Sequence, residues 1–100
     1  MRRYSDLSHD ELTTEIETLH DSIQRATMDS QRDVLIQKWL LARSYLAKER
    51  DFPAGNYRVE GYESIFKLSY LNGVMAWGIW EHGEQTALPI ALLQKLEELH

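Results

Sequence analysis

The sequence predicts an α+β protein in which an N-terminal antiparallel helical hairpin precedes a small antiparallel β unit. Apolar residues recur at intervals of three and four through the first half, whereas the second half contains alternating runs around an Asn-Gly pair typical of tight β-turns. Residues 51–56, which contain Pro and Gly, separate the halves. We therefore expect a boundary between 1–50 and 51–100, with one shared core because this segment is too short for a flexible tether.

The first helix has a well-marked beginning. Ser8 and Glu11 have the spacing of a capping box, and Leu7 and Leu12 that of a hydrophobic staple, so the helix is predicted to begin at residue 9. Beyond it, one apolar stripe indicates a helix buried on a single side. That stripe consists of Leu12, Ile16, Leu19, Ile23 and Ala26.

The second helix is predicted to begin at a cap formed by Ser30 and Asp33 and to end near Lys48. Its apolar residues lie along more than one line, so it must contact more than one element. One line carries Leu35, Trp39, Ala42 and Leu46. The other carries Val34, Leu41 and Tyr45, which we expect to contact the β half or another protein, including a second copy of the chain.

The β half is predicted to contain strands over residues 57–62, 65–71, 74–80 and 86–88, followed by a short C-terminal helix from Pro89. A turn at Asn72-Gly73 pairs Leu71 with Val74 and Leu68 with Trp77. One face of the hairpin is then apolar throughout and is predicted to be core. Its members are Phe66, Leu68, Tyr70, Met75, Trp77 and Ile79.

Four segments of the sequence carry a family pattern: Arg3-Tyr4-Ser5, Tyr57-Arg58-Val59-Glu60, the stretch from Ser69 to Gly78, and Ala87-Leu88-Pro89-Ile90. Together they resemble the YfhH-like family of small proteins from Bacillus-type bacteria. The resemblance covers nearly the whole chain, and its most specific part is the third of these segments. It implies that the β unit is a small SH3-like barrel. Some family members are provisionally labelled transcriptional regulators, and no functional residues can be carried over from them.

Composition limits the function classes. The chain has a net charge of −5 and no cysteine, and residues 51–100 hold three basic and seven acidic residues. Such a surface repels phosphate backbones, which disfavours nucleic acid as a partner. We find neither a signal-peptide pattern nor an apolar run long enough to span a bilayer, so we expect a cytoplasmic protein without membrane contact.

The sequence contains no recognisable catalytic or cofactor motif. Its histidines are scattered without metal-ligand spacing, and there is neither a Gly-x-Ser-x-Gly elbow nor a glycine-rich phosphate loop. We therefore expect no enzymatic activity and predict no catalytic residue, cofactor, metal site or small-molecule substrate.

Two sets of residues remain as functional candidates besides the second line of the second helix. Tyr57, Tyr62 and Trp80 lie near predicted strand ends, where aromatic side chains can contact a ligand or pack against a neighbouring segment. A row of arginines on the second helix could instead face phosphates, or pair with acidic neighbours and cover apolar surface. This row consists of Arg32, Arg43 and Arg50.

These candidates correspond to two function hypotheses. The preferred one is a non-enzymatic protein-interaction or adaptor module that binds a protein partner or self-associates through the apolar residues. The alternative is a nucleic-acid-associated transcriptional regulator that uses the arginines. Net charge and the missing nucleic-acid-binding motifs favour the first.

Overall fold

The computed structural model describes residues 3–96, which form two helices followed by a five-stranded antiparallel sheet. The chain divides into two compact units, Met1–Glu49 and Arg50–His100. The helical unit holds α1 (His9–Arg25) and α2 (Asp29–Ala47), preceded by a 3₁₀ turn at Tyr4–Asp6. The sheet unit holds β1 (Gly55–Val59), β2 (Phe66–Asn72), β3 (Met75–Trp80), β4 (Gln85–Pro89) and β5 (Leu93–Lys95), with a 3₁₀ turn at Ile90–Leu92.

The beginning of α1 is the predicted one. The Ser8 hydroxyl accepts a hydrogen bond from the Glu11 amide at 3.2 Å, and the Glu11 carboxylate accepts one from the Ser8 amide at 3.0 Å. This reciprocal pair satisfies two amides that have no acceptor within the helix. The capping-box prediction is confirmed.

The beginning of α2 differs from the prediction. The helix starts at Asp29 after an N-cap at Met28, which makes no side-chain capping bond, and Ser30 lies inside the first turn. Only residues 26–28 separate the helices, and Arg32 stabilises this connection. Its guanidinium donates to the Ala26 carbonyl at 2.8 Å and to the Asp29 carboxylate at 3.2 Å. The early start follows from these contacts between the helix ends.

The two helices pack antiparallel. His9 Nδ1, at the beginning of α1, lies 2.9 Å from a carboxylate oxygen of Glu49, which follows α2. Further along, the His20 and Trp39 ring centroids are 5.9 Å apart. The most buried residues of the pair are Leu12 and Leu19 on α1, Ala42 and Ser44 on α2, and Ala26 in the connection.

The sheet is open, so the prediction of a closed SH3-like barrel is wrong. Its strand order is β4-β3-β2-β1-β5, and no pairing joins the edge strands β4 and β5 in the part of the chain that the structure describes. The last strand is short, and all three of its residues pair with β1, with Val59 opposite Leu93. A closed barrel would require the two edge strands, β4 and β5, to pair with each other.

The predicted C-terminal helix is not present in the described residues. Pro89 ends β4, Ile90–Leu92 form one 3₁₀ turn and Leu93–Lys95 form β5. Tertiary backbone bonds hold this segment: the Ile90 amide donates to the Val74 carbonyl at 3.0 Å, and the Glu60 amide to the Leu92 carbonyl at 2.9 Å. The part of the prediction that falls on residues 97–100 lies outside the described residues.

The β2–β3 hairpin has a different register from the predicted one. Asn72 pairs with Met75, so the tight turn is Gly73-Val74, and Tyr70 pairs with Trp77. Between Leu68 and Tyr70 the register shifts by one residue at a β-bulge, and Leu68 then pairs with Gly78. A one-residue shift exchanges the two faces of a strand relative to its partner.

The bulge explains which side chains form the core. Phe66 pairs with Trp80 and Leu68 pairs with Gly78, and all four residues are buried. Ala76, on the same face of β3 as Gly78, is buried as well. The predicted core face is therefore wrong in half of its members, because Tyr70, Trp77 and Ile79 are exposed. The rest of the sheet-unit core comes from Phe52, Tyr57, Val59, Val74, Leu88, Ile90 and Leu93.

Candidate interaction surfaces

An exposed aromatic pair lies on the outer side of the sheet. Tyr70 on β2 and Trp77 on β3 have ring centroids 6.3 Å apart and planes within 5° of parallel. Their side chains are 58% and 41% exposed, and the neighbouring Ile79 is 38% exposed. We call these three residues the aromatic face. Large apolar side chains grouped on the surface are characteristic of interaction sites.

The aromatic face lies along a groove without charged residues. Ser69, Gln85 and Thr86 provide its polar lining. Sequence reasoning missed this surface because a regular strand alternation places Trp77 beside Leu68 in the core, and Ser69 itself gives no sign of a bulge. A prediction with the turn at Gly73-Val74 would have given the correct register only between the turn and the bulge.

A second groove is formed by the loops at one end of the sheet. The Tyr62 and Trp80 ring centroids are 5.1 Å apart, and the His82 ring stacks on Trp80 at 6.2 Å and 9°. Glu63 and Glu84 line the same groove. We call these five residues the loop groove. Of the predicted aromatic candidates, the structure brings Tyr62 and Trp80 together here.

Two turns position the loop groove. The Tyr62 amide donates to the Val59 carbonyl at 3.0 Å, and Gly61 within that turn has a φ of +85°, which favours glycine. In the β3–β4 connection, the Trp80 amide donates to the Glu84 carbonyl at 2.9 Å. These bonds hold Tyr62 on one loop and Glu84 on another within one groove.

Tyr57 lies outside the loop groove. Its side chain is only 4% exposed, its hydroxyl donates to the Pro53 carbonyl, and its ring centroid lies 6.1 Å from that of Phe52. These contacts explain the residue as part of the sheet-unit core. Its predicted contact with a ligand stays a prediction.

The predicted second line on α2 is largely exposed. Val34 and Leu41 are 56% and 42% exposed, and Tyr45 is half-buried with the Lys48 ammonium 5.7 Å from its ring centroid. Leu41 and Tyr45 line a groove that also contains Tyr4. Burial raises the pKa of the Tyr4 hydroxyl, and the negative charge of Glu15 adds to the increase.

Comparison with known proteins identifies the family. A family model described as a protein of unknown function, DUF1811, matches residues 2–94. The chain belongs to the DUF1811 family. It is also 40% identical to the uncharacterized protein YfhH of Bacillus subtilis (strain 168) over 102 aligned positions, which cover 96% of this chain and 98% of the relative. The family resemblance seen in the sequence is confirmed, and the DUF1811 match spans every surface described above.

The three predicted arginines of this DUF1811 protein make separate local contacts. Arg32 bonds to the connection between the helices, and Arg43 lies over the Trp39 ring at 4.5 Å from its centroid. Arg50 follows the end of α2 and lies 5.5 Å from the centroid of the Phe52 ring. Each guanidinium is thus engaged within its own unit, and its contact with phosphate stays a prediction.

Within residues 3–96, no three histidine or acidic side chains converge in a way that could hold a metal ion. In the same residues, neither helix is both long enough and apolar enough to cross a membrane.

Proposed function

We propose that this DUF1811 protein is a non-enzymatic protein-interaction module, and that two copies of the chain contact each other through the aromatic face. The observation that supports the proposal is the parallel stack of Tyr70 and Trp77 beside Ile79 on the exposed side of the sheet. Tryptophan and tyrosine are enriched in protein interfaces because they bury a large area and lose little conformational entropy. The absence of enzymatic activity is inferred from the sequence, which contains no catalytic motif.

Charge favours a second copy as the occupant. The chain carries a net charge of −5, so two copies repel each other overall. The groove along the aromatic face has no charged lining residue, which lowers this repulsion locally. The exposed Lys67 pairs with Ile79 across the strands, and a positive charge beside the aromatic face favours an acidic occupant such as a second copy.

An open sheet edge adjoins this surface. Strand β4 contributes Gln85 to the groove and pairs with β3, but its other side has no strand partner within residues 3–96. Exposed strand edges pair readily with other strands. A second copy could therefore add backbone hydrogen bonds to the apolar contact.

The area of the aromatic face predicts weak association. Three partly exposed side chains offer a surface on the order of a few hundred Å², whereas stable interfaces bury about 800 Å² per partner. We therefore expect a transient dimer that forms at high protein concentration.

The alternative of a nucleic-acid-associated regulator has less support. Arg32, Arg43 and Arg50 contact other residues of the protein, and the loop groove has two carboxylates that would repel phosphate. Fluorescence anisotropy with random duplex DNA and single-stranded RNA tests this alternative. Binding that persists at physiological salt would favour it over the interaction module.

Sedimentation velocity from micromolar to millimolar protein concentration tests the proposed contact. The wild type should show a concentration-dependent increase in sedimentation coefficient, and Trp77→Lys should abolish it because a charge on each copy opposes the other. Gln24→Lys adds the same charge at an exposed position of α1 and should leave the association unchanged. Circular dichroism confirms that each variant is folded.

A variant on α2 separates the two apolar surfaces. Val34→Lys changes the exposed line of the helical unit and should leave the association intact. If Val34→Lys dissociates the copies and Trp77→Lys does not, the contact lies on α2. A wild type that stays monomeric at millimolar concentration would contradict the proposal.

A further inference from the structure

The loop groove combines aromatic rings with negative charge. Tyr62 is 57% exposed, and one side of its ring lies against Trp80, which is only 7% exposed. Tyr62 therefore keeps exposed surface for a ligand while its ring packs beside Trp80. Aromatic rings attract cations placed over their faces.

The charged residues of the loop groove have one sign. Glu63 is exposed, and the Glu84 side chain is 72% exposed, with one carboxylate oxygen 3.4 Å from His82 Nε2. The other lining residues are Ser64, Thr86 and Leu88, so no lysine or arginine lies in the groove. A cation that enters the groove would meet two carboxylates, and no lysine or arginine of the groove would compete for them.

We propose that the loop groove binds an arginine side chain of a basic segment in a partner protein. The planar guanidinium can stack on the Tyr62 ring while its N–H groups donate to Glu84 or Glu63, a combination that the compact ammonium of lysine matches less well. The groove volume is about 330 Å³, at the low end of the ~300–1,000 Å³ typical of ligand pockets, which suits a single side chain.

The inference rests on the proposed function and names a partner chemistry for a second surface of the same module. The aromatic face joins two copies, whereas each loop groove would hold one arginine. Two grooves in a dimer could then engage two basic residues of one partner, which raises the effective affinity of each weak contact. The two carboxylates disfavour acidic peptides and nucleic acids at this groove.

Fluorescence anisotropy with a fluorescein-labelled peptide of alternating glycine and arginine tests the inference on the full chain. The same peptide with citrulline in place of arginine keeps the shape and removes the charge, and a third peptide carries lysine. We expect binding in the order arginine, lysine, citrulline, with the last indistinguishable from free peptide.

Three variants locate the binding. Glu84→Gln and Tyr62→Ser should each weaken binding of the arginine peptide about two- to five-fold, which corresponds to one exposed ion pair or one exposed cation–π contact. Glu17→Gln removes the same charge from an exposed position of α1 and should have no effect beyond error. Neither groove variant alters a buried side chain, so all three should remain folded.

Two results would overturn the inference. Equal weakening by Glu84→Gln and Glu17→Gln would show a general attraction to an acidic protein, and full binding of the citrulline peptide would remove the need for a cation. Sedimentation velocity on the same samples measures the contact between copies. If the wild type associates but does not bind the arginine peptide, the inference about the loop groove is contradicted and the proposed function is not. If the wild type is monomeric, the proposed function is contradicted.

Discussion

Gly78 lies so close to Lys67 that no side chain fits between them. A Cβ added to Gly78 would be 2.0 Å from the Lys67 carbonyl oxygen and 2.8 Å from Cζ of the buried Phe66 ring. The oxygen belongs to the neighbouring strand, so relief of this contact requires the backbone of β2 or β3 to move. The middle of the sheet therefore depends on the absence of a side chain at this position.

Gly78→Ala should destabilise the sheet unit strongly. We expect the free energy of unfolding to fall by about 3 kcal/mol, at the upper end of the usual cost of overpacking, because a backbone atom must shift. Chemical denaturation followed by tryptophan fluorescence measures this change. Gly61→Ala is the control: its Cβ meets nothing within 4 Å, and its φ of +85° alone should cost about 1–2 kcal/mol. Equal losses would show that the close approach does not matter.

Ser8→Ala should destabilise the helical unit by removing half of the capping box. A loss of about 1 kcal/mol is typical of an N-cap serine replaced by alanine. Ser30→Ala is a matched control, because Ser30 lies within the first turn of α2 and makes no capping bond. Its effect on unfolding should stay within about 0.5 kcal/mol. A larger loss at Ser30 than at Ser8 would contradict the observed helix boundaries.

Arg32→Gln should weaken the connection between α1 and α2. The Arg32 side chain is 41% exposed and its guanidinium donates to the Ala26 carbonyl, so we expect a loss of about 1 kcal/mol in unfolding free energy. Arg25→Gln is the control, because that side chain is 81% exposed and its ion pair with Asp21 spans 3.6 Å. If Arg32 instead serves nucleic acid, the variant will lower RNA or DNA binding and leave stability unchanged.

Tyr4 should make the folded state less stable at high pH. Because the pKa of Tyr4 is raised on folding from its ordinary value of 10.0, the unfolded chain releases the proton first. The resulting stability is fully present below pH 10.0 and is lost as the pH rises through the folded pKa. Tyr4→Phe should remove this component, so the difference in unfolding free energy between wild type and variant should change above that pH. A constant difference would contradict the raised pKa.

Local signals in the sequence were sufficient for the existence of α1 and α2, for the beginning of α1 and for the presence of strands. Ser8 and Glu11 determine the beginning of α1 through bonds within four residues, and such bonds are visible in a sequence. The beginning of α2 depends on Arg32 reaching back to Ala26, which the pattern around Ser30 did not reveal. Asn72 and Gly73 indicated a hairpin, although the turn itself lies one residue further along.

The surfaces were harder to predict because they depend on pairing between strands. Tyr62 and Trp80 were recognisable candidates, but the contact between them joins the β1–β2 connection to the end of β3, which a sequence pattern does not reveal. Trp77 was assigned to the core because a regular alternation does not allow for the bulge. The C-terminal segment shows the same limit, since its backbone bonds to Val74 and Glu60 override its helical pattern.

Because of the bulge between Leu68 and Tyr70, the number of residues in β2 decides which side chains of the hairpin are buried and which are exposed. Loss of the single residue Ser69 would leave the composition of the hairpin nearly unchanged, yet it would interchange which neighbours of Trp77 face water. We therefore expect this hairpin to tolerate substitutions on its exposed face better than an insertion or a deletion. Insertion or deletion of one residue at the bulge would remove the aromatic face, whereas many single substitutions would only modify it.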